Sequence, residues 1–361
     1  MEFKTYIMED VLESIIDYRG RTPEKSESGI PTLSAKSVKN NFIDYEKCYY
    51  ISPEEYKKFM VRGFPEKGDI LLTTEAPLGN VARLDRNNIA LAQRLLALRG
   101  RKNILDNDYL LYFLQSDTAQ HLLQSHGTGT TVTGIKQSVF RKLEISIPSI
   151  EYQRKISAVL RPLDDKIELN NRINKNLEEQ AEVIFNNMFP DVLDETGTDK
   201  LEKIISFSNG RKRPSEMGNI PVFGGNGILA YTNKSNSGNC VIIGRVGAYC
   251  GNVSLSLDDC WISDNAISAK CKITESQSFI FNLLKNADLS ARYIGTGQPL
   301  ITQGILKSIS CNIPETKNIN HFEDIVKPLY EMIKNNSEQI KKLSALRDAL
   351  LPQLLNGRLN I

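Results

Sequence analysis

Ile145-Ser146-Ile147-Pro148 leads into Glu151-Tyr152-Gln153-Arg154-Lys155-Ile156, and Ile313-Pro314 opens a second stretch of the same kind further along the chain, at an offset of 313 − 147 = 166 residues. Carried on without a gap, that offset sets Pro162 on Pro328, Leu163 on Leu329, Ile167 on Ile333, Asn170 on Asn336, Lys175 on Lys341 and Leu177 on Leu343. Where identity lapses the apolar character stays: Ile156 meets Phe322, Leu160 meets Val326, Ile184 meets Leu350 and Met188 meets Leu354. Two copies of one periodic element make the chain a tandem duplication, and a two-fold repeat points to a two-fold pattern in whatever it binds.

Both copies read as long helices. Ile156, Leu160, Leu163, Ile167, Asn170, Asn174, Leu177, Ala181, Ile184 and Met188 follow one another in steps of four and three, the seam of a coiled coil, and Phe322, Val326, Leu329, Ile333, Asn336, Ile340 and Leu343 repeat the steps. Each seam carries an Asn at its midpoint. A polar seam residue lowers stability but fixes register. The expectation is an antiparallel helix pair in which Leu163, Ile167, Asn170 and Leu177 face Leu329, Ile333, Asn336 and Leu343, with the two Asn close together; the other reading packs each helix on its own globular block. Pro162 and Pro328 are expected to kink the helices or to split off a short leading helix. From Pro162 to Met188 a straight helix spans roughly 40 Å, about one turn of duplex DNA at ~3.4 Å per base pair.

Working outward, 361 residues suffice for two or three cores, and 40% apolar with 24% charged residues is the balance of an ordinary globular protein. The expected class is α/β (α+β): two similar mixed α/β domains joined by two long helices in an antiparallel coiled coil, a pseudo-two-fold tandem repeat. The boundaries are 1–148 for the first globular domain, 149–190 for the central helix, 191–200 for a linker, 201–314 for the second domain and 315–361 for the C-terminal helix. The globular blocks repeat more loosely: Gly68-Asp69-Ile70-Leu71-Leu72 resembles Gly238-Asn239-Cys240-Val241-Ile242, Gly79-Asn80-Val81 recurs as Gly251-Asn252-Val253, and Gly127-Thr128-Gly129 as Gly295-Thr296-Gly297. No run of 18 apolar residues and no basic, apolar leader appears, which predicts a cytoplasmic protein with no membrane contact. The six cysteines, Cys48, Cys240, Cys250, Cys260, Cys271 and Cys311, form no C-x-x-C pair and read as reduced core thiols.

Catalytic signatures are missing. Gly129 to Lys136 approaches a phosphate-binding loop, but Ile135 separates Gly134 from Lys136 and no Ser or Thr follows. There is no nucleophile elbow, H-E-x-x-H pair or Asn/Asp-Pro-Pro-Tyr/Phe motif. Basic residues instead cluster at matching places: Arg19, Arg21 and Lys25 ahead of Ile30-Pro31, and Arg211, Lys212, Arg213 and Lys234 around Ile220-Pro221. Lys36, Arg94, Thr128, Lys136, Arg245, Arg292, Thr296 and Gln298 lie at or near Gly-rich turns. Such side chains supply phosphate and base-edge contacts, so all fifteen are candidate DNA-binding residues, and no metal ligands are expected.

With the second copy ending Leu350-Leu351-Pro352-Gln353-Leu354-Leu355-Asn356-Gly357-Arg358-Leu359, the whole chain resembles the specificity subunit of type I restriction-modification enzymes. That resemblance implies that each globular block is a target-recognition domain reading one half of a bipartite, asymmetric double-stranded DNA target. It implies that the helices set the spacer and dock two methyltransferase subunits, with two motor-nuclease subunits in the full complex. It also implies a non-catalytic chain without cofactor, S-adenosylmethionine, ATP and Mg belonging to the partners. The second helix begins Glu315-Thr316-Lys317-Asn318-Ile319 and lacks the Glu-x-Gln start of the first, which implies unequal docking surfaces. The competing reading is an assembly scaffold for partner proteins without sequence readout.

Overall fold

The computed structural model describes residues 2–129, 132–194, 196–273, 276–295, 297–359 and 361. They form two compact units, Met1–Glu168 with Lys341–Ile361, and Leu169–Ile340.

Both repeated stretches are helical throughout, Ile150–Met188 over 39 residues and Thr316–Leu355 over 40. Neither proline divides its helix, against the expectation of a separate leading helix. An interior proline deprives the carbonyl four residues earlier of its donor. Here Pro162 and Pro328, and with them Ala158 and Asp324, are exposed, so the freed carbonyls can be hydrated. On the opposite face the fully buried Ile156 and Leu160, and Phe322 and Val326, hold each helix against its unit's core.

In the first unit the strands Leu12–Asp17, Leu95–Gly100, Ile70–Thr74 and Leu78–Arg83 lie side by side in that order, all antiparallel. A second sheet pairs Ile30–Leu33 antiparallel with Tyr49–Ile51 and parallel with Ala90–Leu91. The second unit repeats this with Ile205–Asn209, Ala266–Cys271, Ser237–Gly244 and Val253–Ile262, and with Ile220–Gly224 between Gly227–Thr232 and the end of Val253–Ile262. Thr32 pairs with Ala90 as Val222 pairs with Trp261. The second unit's six strands make one sheet because Val253–Ile262 runs unbroken, whereas the polar stretch Asp85-Arg86-Asn87-Asn88 interrupts its counterpart. The stretch 191–200 is partly built into the second unit: Val192 is buried in its core and Asp199–Lys200 pairs with Ser310–Cys311.

Both helix-packing readings hold at once. In the first unit Ile156, Leu160 and Leu354 join the core around Tyr109–Leu114. In the second, Phe185, Phe189, Phe279 and Phe322 form an aromatic cluster with ring centroids from 5.1 Å to 6.3 Å apart, mostly edge to face. Within each unit the two helical segments run antiparallel: Tyr152 Oη donates to the Leu359 carbonyl (3.1 Å) and Arg347 pairs with Asp164 (2.9 Å) in the first. In the second, Asn170 Nδ2 donates to Gln339 Oε1 (3.3 Å) and Asn336 Nδ2 to Asn174 Oδ1 (2.9 Å). The two seam Asn therefore share one polar layer but bond to neighbours, not to each other.

Each block is keyed to its helix by contacts whose chemistry is exchanged between the units. In the first, Asp106 caps the helix Asn107–Gln115 by accepting from the Tyr109 amide (2.9 Å), and Ser157 of the long helix donates to the same oxygen (2.9 Å). In the second the carboxylate comes from the long helix: Glu323, the counterpart of Ser157, accepts from Ser278 Oγ (2.8 Å) and from the Phe279 amide (3.4 Å). One turn on, Tyr112 donates to Asp164 (2.7 Å) in the first unit, while Asn282 donates to Tyr330 (2.8 Å) in the second.

Burial raises the Glu323 carboxyl above its ordinary value, the bonds from Ser278 and Phe279 pulling the other way. The folded state thus holds this proton to higher pH than the unfolded chain. Its stability contribution is complete below the ordinary value of 4.5 and is lost as pH rises through the raised folded pKa. Glu323→Gln keeps an acceptor and cannot ionise, so thermal melting of the second unit between about pH 4 and about pH 7 should decline less in the variant than in the parent. Parallel declines would show that the slope arises elsewhere.

Candidate nucleic-acid interface

In the first unit four loops meet at one end of the four-stranded sheet. The Thr74 amide donates to the Arg94 carbonyl (3.0 Å), the Ile135 amide to the Thr74 carbonyl (2.9 Å), and Thr128 and Gly134 exchange backbone bonds of 2.8 Å and 3.0 Å. Glu75 bridges to Gly134. A side chain on Gly134 would press on Glu75 and the Thr74 carbonyl, and Gly129, at φ +116°, turns the loop where a Cβ would strike the Val132 carbonyl. Arg94 itself has φ +69°, a conformation that costs a non-glycine residue energy and concentrates at functional sites.

This frame brings Arg19, Arg94, Thr128 and Lys136 together. Arg19 Nη2 lies 3.8 Å and Arg94 Nε 3.6 Å from Glu75 Oε2, and Lys136, exposed, follows Ile135 directly. Arg21 lies over the Phe59 ring (5.5 Å) and its carbonyl accepts from Gln93 Nε2 (3.4 Å), which also reaches Thr22 (2.9 Å). Lys25 lies over Tyr49 (4.9 Å). Lys36 is exposed beyond the strand Ile30–Leu33, apart in sequence from the loops that meet at Glu75. Three positioning residues escaped the sequence reading. Arg62 Nη1 donates to the carbonyls of Asp17 (3.0 Å) and Arg19 (3.3 Å), fixing that loop. Tyr18, its phenol raised by burial and so neutral, donates to the Gly63 carbonyl (3.0 Å) and accepts from the Arg62 amide (2.7 Å). Glu75 is the third; an isolated acid among basic loops leaves no motif in the sequence.

The second unit has the same frame. The Arg245 amide donates to the Asn265 carbonyl (2.9 Å) and the Ile301 amide to the Arg245 carbonyl (2.9 Å), while Ile294 and Leu300 exchange bonds of 2.9 Å and 3.0 Å and Val246 bridges to Leu300. Arg245 thus stands where Thr74 does, Val246 where Glu75 does, Asn265 at the place of Arg94 and Ile294 at that of Thr128. Arg211 takes the place of Arg19: its amide bonds to the Ile262 carbonyl (2.9 Å) and its carbonyl accepts from the indole of Trp261 (3.2 Å). Among the described residues the buried Arg245 Nε finds no hydrogen-bond partner. Lys212 and Arg213 are exposed beyond Arg211. Lys234 pairs with Glu216 (2.6 Å), which compensates its charge. Arg292 Nε is held by the Ala287 carbonyl (2.8 Å), and Gln298 is exposed in the turn after Gly295. Thr296 lies outside the described residues.

Among the described residues no group of His, Cys, Asp and Glu could hold a metal ion, and no helix is long and apolar enough to cross a membrane. Gln153, the Gln of the Glu-x-Gln start of the first helix, is fully buried: it accepts from the Asp106 amide (2.9 Å) and donates to the carbonyls of Ile104 and Pro148 (both 2.9 Å).

The model of the type I restriction modification DNA specificity domain matches residues 1–179 and again 200–345. The chain is 27% identical to the type I restriction enzyme MjaIX specificity subunit of Methanocaldococcus jannaschii over 92% of this chain and 87% of that one. To the HindI specificity subunit of Haemophilus influenzae it is 32% identical, over 35% of this chain and 28% of the relative. The crystal structure of the type I restriction-modification S subunit from M. genitalium superposes with a TM-score of 0.60, covering 98% of this chain and 96% of that one at 16% identity, a shared fold. Two matched domains, two loop frames with the same backbone hydrogen-bond pattern and two paired helices place this chain in the family of type I restriction-modification specificity subunits.

Proposed function

We propose that this chain reads a bipartite, asymmetric sequence in double-stranded DNA, the two loop frames each reading one half, while the paired helices set the spacer and dock two methyltransferase subunits. Two motor-nuclease subunits join in the full complex. S-adenosylmethionine, ATP and Mg are bound by those partners, and this chain performs no covalent chemistry. The observation that carries the reading is that one backbone frame occurs twice with different side chains at its rim: Thr74, Glu75, Arg94 and Thr128 against Arg245, Val246, Asn265 and Ile294. Identical rims would read a palindrome. Different rims on one frame fit two readers of different half-sites, since base edges are distinguished by their donor and acceptor patterns.

The test is duplex binding by the complex with its methyltransferase partner, at several salt concentrations. The target is obtained by sequencing the methylated positions in the source genome. A reader prefers that target to a scrambled duplex by about a thousandfold or more; equal binding would leave a scaffold without readout. Lys136→Ala and Lys212→Ala, at exposed cations, should each weaken both duplexes alike and lower the slope of log affinity against log salt by about one. A loss confined to the target would instead assign those lysines to bases.

A further inference from the structure

The acid at the centre of the first frame is out of place in a surface that binds phosphates. Glu75 is three-quarters buried on the rim, its backbone fixed by the bridge to Gly134 and by the bonds of Thr74 on either side. A carboxylate there repels the DNA backbone and lowers non-specific affinity. Its two neighbours do not consume it: Arg19 and Arg94 stand at 3.8 Å and 3.6 Å, beyond hydrogen-bond reach, and their side chains are 50% and 51% exposed. Both guanidinium groups therefore keep donors for phosphate or base acceptors. Both carboxylate oxygens keep acceptor capacity. The corresponding residue in the second frame is Val246, so folding the frame does not require an acid.

We propose that Glu75 is a specificity-determining residue of the first block, accepting a hydrogen bond from an exocyclic amino group on a base edge, cytosine N4 or adenine N6. The inference rests on the reading of this surface as a DNA-sequence reader. A carboxylate has no proton to donate, so guanine O6 and thymine O4, which are acceptors, are rejected by repulsion as well as by the missing bond. Arg19 and Arg94 offset the approach of the acid to polyanionic DNA and hold it at the rim. Val246 offers no acceptor, so the second block makes no such discrimination at the equivalent position.

The test is selection from duplexes randomised over both half-sites, using the assembled complex and its Glu75→Gln and Glu75→Leu variants. Wild type should prefer cytosine or adenine at one position of one half-site, and which of the two emerges identifies the amino group read. Glu75→Gln, which both donates and accepts, should lose about tenfold or more in discrimination at that position alone. Glu75→Leu should lose it too, with every other position and the other half-site unchanged. Unaltered preferences in both variants, or an affinity change equal for all bases, would overturn the assignment while leaving the reader intact. A wild-type complex with no sequence preference would overturn the reader itself, and the assignment with it. Unchanged melting of the variants separates lost readout from lost folding.

Discussion

Exchanging residues 201–312 for the corresponding block of a relative should change one half of the DNA target and leave the other half as it was. Every rim residue of the second frame, Arg211, Arg245, Val246, Asn265, Ile294 and Leu300, lies within that segment, and every rim residue of the first lies outside it. A mismatched base pair costs about 1–3 kcal/mol, so two altered positions lower affinity for the original target roughly thirtyfold or more. The exchange carries a structural condition. Glu323 and Tyr330 stay behind on the long helix, and they need the hydroxyl of Ser278, the amide of Phe279 and the side-chain amide of Asn282. A donor block that offers an acid and a tyrosine there, as the first block does with Asp106 and Tyr112, sets carboxylate against carboxylate; such grafts should fold only when residues 315–340 travel with them. Sequencing of methylated positions reads the result. A change in both half-sites, or in neither, would refute the division of labour between the blocks.

The helices were legible because their spacing is a geometric requirement: a seam with steps of four and three survives any substitution that stays apolar. The globular repeat was legible at Gly79-Asn80-Val81, which strand pairing sets on Gly251-Asn252-Val253, but not at the Gly-Thr-Gly turns, where the loop frames set Thr128 on Ile294 and so Gly129 on Gly295, two places from the alignment read in the sequence. The contacts that key block to helix were not legible, because their chemistry is exchanged: Ser157 aligns with Glu323 and Asp164 with Tyr330, pairs that look like lost similarity until their partners are known. Glu75 was missed for a related reason. Its role depends on three loops that meet it from distant parts of the chain, and composition alone made Arg19 and Arg94 more conspicuous than the acid between them. The prolines do not divide their helices. Proline's penalty inside a helix falls on one carbonyl, and at Pro162 and Pro328 that carbonyl lies on the wet face.

Gln153 gives the largest expected effect on stability in the first unit. Its amide serves three backbone groups at once, the Asp106 N–H and the carbonyls of Ile104 and Pro148, in a place closed to solvent. Each buried backbone group left without a partner costs about 1–3 kcal/mol. Gln153→Leu keeps nearly the volume and admits no water, so all three are left bare; the loss should be about 3 kcal/mol or more, a fall of roughly 6–12 °C in the first unit's melting temperature. Gln153→Ala opens room for water that can serve some of the three, so its loss should be smaller although more side chain has been removed. Calorimetry with separate transitions for the two units measures both. If alanine proved the worse substitution, packing volume and not hydrogen bonding would be what Gln153 supplies. Ile319, at the matching place in the second unit, is buried with no polar group to offer, so the second transition should stay unmoved in both variants and serve as the internal standard.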